Sequence, residues 1–167
     1  MPSFRALQPS LLRRGVELDT PPIHVPAARA IVDCAVYAEG NRLPGKYTHA
    51  AALAKVHGLD GEGTNAFVWI GLHEPNEHQM QAVANCFCLH ELAVEDAVHA
   101  HQRPKLERYD DTLFLVLKTV TYVEHESVAK AREIVETGEI MVFVGPDFVV
   151  TVRHGEHGGL AGVRKQL

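Results

Sequence analysis

The sequence predicts an α/β fold built on a mixed sheet, and three observations predict it. Residues 66–72, AFVWIGL, form a near-continuous apolar run, the pattern of a central strand covered on both faces. Met80, Val83, Ala84 and Phe87 recur at i, i+3, i+4 and i+7, which puts one apolar stripe on a helix. Near the end of the chain, the apolar runs 140–144 and 148–152 are joined by the turn Gly145–Pro146–Asp147, as strands of one sheet would be. Helices interspersed with strands and followed by an antiparallel run give a helical layer on a mixed sheet.

The elements follow in chain order. Residues 1–26 mix Pro21, Pro22 and Pro26 with Arg13–Arg14 and keep no period, so they read as a variable, loosely ordered tail. Residues 30–38, AIVDCAVYA, alternate as a first strand, and 41–45 are turn-rich. Thr48 is a candidate cap for a helix over 48–56 that Gly58 ends, and residues 61–63 are loop. Pro75 fits the first turn of the helix predicted over 76–87, where a missing N–H costs nothing. Residues 88–90 turn the chain into a second helix over 91–99, with Leu92, Ala93 and Val98 inward. Pro104 stops that helix, because Arg103 is pushed out of the helical region. Residues 112–123 are a long strand, 126–131 a short helical or irregular linker, and 133–136, 140–144 and 148–152 three strands. Residues 155–159 are loop, and 160–167 are the start of a following helix that is cut off. The domain proper therefore spans 27–159, and the chain has no internal repeat.

Composition narrows the function classes. A chain of 167 residues with 46% hydrophobic and 22% charged residues is one globular domain that buries a core. A formal net charge of -5 argues against a nucleic-acid partner and is compatible with cations. Three cysteines (Cys34, Cys86, Cys88) make an odd number without a framework spacing, and no secretory leader opens the chain, so a reducing, cytosolic setting is expected. Apolar runs such as 113–117 and 140–144 fall far short of the ~20 residues of a membrane helix. The chain reads as soluble.

The most informative stretch is 89–118, LHELAVEDAVHAHQRPKLERYDDTLFLVLK. It puts the acidic pair Glu95–Asp96 on a short amphipathic helix, with no nucleophile or phosphate loop nearby, which suits holding a hard cation rather than covalent chemistry. Glu91, Glu95 and His99 lie at i, i+4 and i+8 on one helical face. That spacing can ligate a metal, but a solvated helix face looks the same and is the stronger reading on spacing alone. Asp96 sits about 100° around the helix from Glu95, so both reach one or two adjacent cations only if a neighbouring surface meets them. Two carboxylates alone would hold Mg2+ at millimolar levels, on the order of 10⁻³ M. Cys86-x-Cys88-x-His90 mimics a soft-metal fragment but lacks a fourth ligand at zinc-finger spacing, and core packing explains the cysteines better. His154, Glu156 and His157 read as a polar turn, and Arg103–Pro104–Lys105 as a helix stop and strand start rather than an anion corner. No nucleophile–base pair, dinucleotide fingerprint or P-loop is present, so no enzyme reading has support.

Three quoted segments carry a resemblance: FVWIGLHEP, then LHELAVEDAVHAHQRPKLERYDDTLFLVLK, then EIMVFVGPDFVVTVR. In that order, with a helix after the first, they resemble the N-terminal cytoplasmic domain of CorA-type magnesium and cobalt transporters, over about residues 66–153. The resemblance implies a three-layer α/β/α sandwich with a mixed, partly antiparallel sheet. It implies a homopentamer in which a stalk helix and two membrane helices with a Gly-Met-Asn filter follow the soluble domain, none of them present in this sequence. It implies regulatory Mg2+, with Co2+ possible, and no enzymatic activity. Asp96 becomes an inter-subunit ligand that faces a carboxylate of the neighbouring stalk, and Glu95 contributes to a nearby second cation. Bound Mg2+ then neutralises facing acidic surfaces and favours the closed channel. The chain is expected to be the cytoplasmic part of a plasma (inner) membrane protein. His73 stands where the family often has a small or acidic residue, and a sibling branch handles zinc, which imidazole suits better. The soluble domain of such a zinc transporter is therefore one alternative, and a free-standing cytosolic metal-binding or interaction module is another.

Overall fold

This computed structural model describes residues 26–122, 135–155 and 159–166. The expected loose tail, the linker over 126–131 and the polar residues Glu156 and His157 lie outside the described residues. Seven strands form one sheet: β1 (Ile31–Ala38), β2 (Asn41–Arg42), β3 (Ala66–His73), β4 (Lys105–Tyr109), β5 (Thr112–Tyr122), β6 (Val135–Val144) and β7 (Phe148–His154). Their order is β2-β1-β3-β7-β6-β5-β4. β3 and β7 pair in parallel and every other neighbouring pair is antiparallel, so the sheet is mixed as the sequence predicts.

Three helices, α1 (His49–Asp60), α2 (Glu77–Phe87) and α3 (Glu91–Val98), cover one face. The alternation of strand side chains decides which face is which. Val36, Val68, Ile70, Leu72, Phe114, Val116, Met141, Phe143, Val150 and Val152 point to these helices and form one core with Val56, Met80, Val83, Phe87 and Val94. On the opposite face Ala35, Tyr37 and Trp69 form a second, smaller cluster that Phe67, Val149 and Leu160 join. The short helix α4 (Ala161–Arg164) lies over it, with the Arg164 guanidinium 4.2 Å from the Trp69 ring centroid. The layers are thus α/β/α, but among the described residues the second helical layer is four residues long. Over β4–β6 that face is partly open: Leu106 is 65% and Leu117 42% exposed.

Several elements differ from expectation. Thr48 does cap α1, accepting from the Ala51 N–H, but the helix continues through Gly58 to Asp60 and is closed by Gly61, whose N–H meets the His57 and Leu59 carbonyls. Pro75 precedes the α2 cap rather than opening the helix; Asn76 is the cap, in a reciprocal capping box with Gln79. Leu92 is 54% exposed, because Ala93, Val94 and Ala97 form the buried stripe of α3. The two strands expected at 133–136 and 140–144 are one, since β6 runs through Gly138 paired to β5 from Val135 to Val144. A strand start at Lys105 was expected, but not β4 as a strand of its own ahead of the one at 112. Its period-2 alternation places Lys105, Glu107 and Tyr109 on the helix-covered face, so no apolar pattern marks it. Of the helix expected over 160–167, the described residues form α4 alone.

Candidate metal site on the third helix

α3 begins at His90, whose ring accepts from the Leu92 N–H and stacks on Tyr109 with centroids 4.4 Å apart. That packing, and the burial of Ala93, Val94 and Ala97, fixes the roll of the helix. Glu91 and Glu95 consequently face solvent, while Asp96 sits at the seam between α3 and the edge strand β4. There the Lys105 ammonium lies 2.7 Å from Asp96 Oδ2 and 2.8 Å from Glu107 Oε2. Tyr109 donates its hydroxyl to the same Glu107 oxygen at 2.8 Å. A chain of charge therefore runs Tyr109–Glu107–Lys105–Asp96 across the seam. The hydrogen bonds that Lys105 donates to Asp96 and then Glu107 hold it above the usual lysine range, and the bond from Lys105 holds Glu107 below the usual carboxylate range.

The loop that follows is pinned by a different carboxylate. Glu139, with only 6% of its side chain exposed, accepts from the His101 N–H at 2.7 Å and the Gln102 N–H at 3.3 Å, and pairs with Lys118. His154 Nε2 meets the Ala97 carbonyl at 2.9 Å, so β7 also ties down the end of α3.

Of the residues singled out in the sequence, the structure brings Asp96 to Lys105 and leaves Glu95 exposed on another side of the helix. Glu91, Glu95 and His99 do not converge; the His99 ring turns back to the Glu95 carbonyl at 2.9 Å. Among the described residues no three His, Cys, Asp or Glu side chains gather as a metal cluster, and Cys86, Cys88 and His90 are no exception. Burial raises the Cys86 thiol, and burial with Asp33 raises that of Cys34 to about 11, which disfavours the thiolate that zinc needs. Lys105, Glu107 and Glu139 are the site residues that the sequence reading missed. The K-x-E-x-Y alternation directly after Pro104 was the available signal for the first two.

Asp96 offers hard oxygen donors of the kind Mg2+ prefers, at 24% side-chain exposure. It fits one half of a bridging site and no more, because Mg2+ binding needs further oxygens that this surface does not assemble.

A mixed seven-stranded sheet and a three-helix layer, with a partly exposed carboxylate at their edge, define the class as an α/β domain. The family model for "CorA-like Mg2+ transporter protein" matches residues 64–167, and the chain belongs to that family. It is 33% identical over 102 residues to the "Putative metal ion transporter YfjQ" of Bacillus subtilis (strain 168), covering 61% of this chain and 29% of that protein. It is 40% identical over 57 residues to the "Cobalt/magnesium transport protein CorA" of Thermotoga maritima, covering 32% of this chain and 16% of that one. The fold is similar to that of the full-length CmaX protein, with a TM-score of 0.61 at 16% identity over 83% of this chain and 39% of that chain. The chain thus spans less than a third of the length of either curated relative. None of its described helices is long and apolar enough to cross a membrane.

Proposed function

We propose that this chain is the cytoplasmic, Mg2+-sensing domain of a CorA-type transporter of divalent cations, magnesium and cobalt, with no enzymatic role. In this reading residues 27–159 are the regulatory unit, and the segments before and after it are an N-terminal tail and the beginning of the next helix. Asp96 binds Mg2+ between subunits of a homopentamer, and Glu95, exposed on the adjoining helix face, contributes to a second cation. The observation that carries the reading is the placement of Asp96. It is the member of the acidic pair that stands at an element seam, oriented by Lys105, with part of its carboxylate still open to a partner.

The mechanism follows from charge. Carboxylate surfaces of adjoining subunits repel at close range, and a divalent ion between them converts repulsion into attraction. Mg2+ therefore favours the arrangement that brings the subunits together, the closed channel, and its loss frees them to separate. The partly open aliphatic face over β4–β6 supports association with further protein, which fits the expected docking of stalk segments. The zinc alternative, which rests on His73, gains nothing from Cys86, Cys88 and His90, since these do not come together.

The test is made in the longer transporter that carries this domain. Asp96→Ala should raise the Mg2+ concentration needed for closure, read as protease protection or as flux against Mg2+. An unchanged Mg2+ dependence removes Asp96 from the role.

A further inference from the structure

The sheet face opposite α1–α3 holds a cavity for which the metal reading has no use. It measures about 420 Å³ and lies between strands β1, β3 and β7 and the segment around α4. That size falls within the range of small-molecule sites. Among the described residues Arg42, Arg164 and Lys165 line it beside the carboxylate of Asp33, and Arg153 adjoins them with a partner of its own. These three cations outnumber Asp33 in a chain whose formal net charge is -5.

The cluster is organised rather than scattered. Asp33 takes Arg42 on one oxygen at 2.8 Å and Arg164 on the other at 2.6 Å, so one carboxylate holds two guanidiniums side by side. Each guanidinium carries five N–H donors, and these contacts use only some of them. Arg164 is fixed further by its position over the Trp69 ring and has 9% of its side chain exposed. Gly71 lies beneath it: a Cβ there would come within 3.0 Å of Arg164 Nη2 and 3.2 Å of Val32 Cγ2. The missing side chain lets the guanidinium lie flat on the sheet and keeps the floor open. The Asp33–Arg164 pair alone would pin the α4 segment to the sheet. Arg42, 45% exposed, and the exposed Lys165 add positive charge that pinning does not need. Val32 and Leu160 supply an apolar wall beside them.

We propose that this cavity binds a small polyanion bearing two or more phosphate groups, a phosphate ester of nucleotide size, held by Arg42, Arg164 and Lys165. Guanidinium and ammonium groups in fixed array suit multiply charged phosphate better than a single carboxylate. The apolar wall gives the organic part of such an ester a surface to lie on.

Trp69 is the only tryptophan and sits against Arg164, so its emission reports on the cavity directly. The 167-residue chain is titrated, without added metal, with sodium tripolyphosphate, ATP and citrate, and with sodium chloride at matched ionic strength. A saturable emission change with tripolyphosphate or ATP, half-complete at or below about 1 mM, is expected. Lys165→Gln, an exposed change that leaves the core untouched, should weaken it several-fold. The double variant Arg42→Gln/Lys165→Gln should weaken it at least tenfold, with thermal melting of each variant confirming the fold. Tighter binding of ATP than of tripolyphosphate identifies a nucleotide, and equal binding identifies the polyphosphate group itself. The proposal is overturned if matched sodium chloride gives the same change, if citrate binds as tightly as tripolyphosphate, or if both variants titrate like the parent.

Discussion

Replacing Glu139 with Ala tests the view that one buried carboxylate fixes the loop following α3. The substitution leaves the His101 and Gln102 N–H groups without their acceptor in a pocket where the Glu139 side chain is only 6% exposed. Each orphaned donor, part-buried here, costs up to about 1–3 kcal/mol. Lys118, 36% exposed, rehydrates and adds little. His101 also holds a backbone φ of 78°, strained for a residue with a side chain, and loses the bond that keeps it there. The expected loss is about 3–4 kcal/mol, which lowers Tm by roughly 6–16 °C in a domain of this size. Circular-dichroism melting reads it, with amide exchange at His101 and Gln102 rising first. The pH dependence has a definite sign. Burial pushes the Glu139 carboxyl up, but Lys118 and the two amides outweigh it and hold it below its usual value. A depressed folded-state pKa contributes stability that is present above the unfolded value near 4.5 and is lost as pH falls through the lower folded value. Glu139→Gln should therefore lack that part of the acid limb. An Ala variant that melts within about 2 °C of the parent refutes the reasoning.

Two further outcomes are expected. Alkylation by iodoacetamide at pH 8 should reach exposed Cys88 first and Cys34 last, because a thiol at about 11 is only ~10⁻³ thiolate there; mass spectrometry that finds Cys34 modified as fast as Cys88 contradicts this. Gly145→Ala should destabilise by about 2–3 kcal/mol, since a Cβ there would intrude on the Phe148 ring, which packs on Phe87 at 5.0 Å; an unchanged melting temperature would show that the ring has room to move.

The elements that sequence made legible are those whose side chains serve one master. β3 and α2 are read from apolar pattern because burial alone dictates Val68, Ile70, Met80 and Val83. The edge strand β4 was hidden because Lys105 and Glu107 occupy its core-facing positions, where they answer to Asp96 rather than to the core. β6 looked like two strands because Gly138 and Glu139 interrupt the run, yet Glu139 is buried for its bonds to a loop 37 and 38 residues earlier in the chain. Such long-range polar partners leave no periodic trace. The acidic pair stood out in sequence, but only the packing of α3 separates its members into one held carboxylate and one solvated one.

That separation makes Lys105 a further lever on the proposed sensor. Its ammonium occupies the side of Asp96 that an arriving cation would share, and Glu107 offers it a second place 2.8 Å away. A divalent ion at Asp96 has only to weaken one of two ion pairs, since Lys105 keeps the other. Because Asp96 and Lys105 are 24% and 29% exposed, solvent screens their pairing and its worth is about 0.5–1 kcal/mol. Lys105→Met should accordingly lower the Mg2+ concentration for closure by about 2–5-fold in the longer transporter. Lys105→Arg, which keeps the charge and adds a bidentate fork, should not lower it. A Met variant that closes at the parent's Mg2+ concentration, alongside an Asp96→Ala variant that does not, would show that Asp96 binds the cation without competition from Lys105.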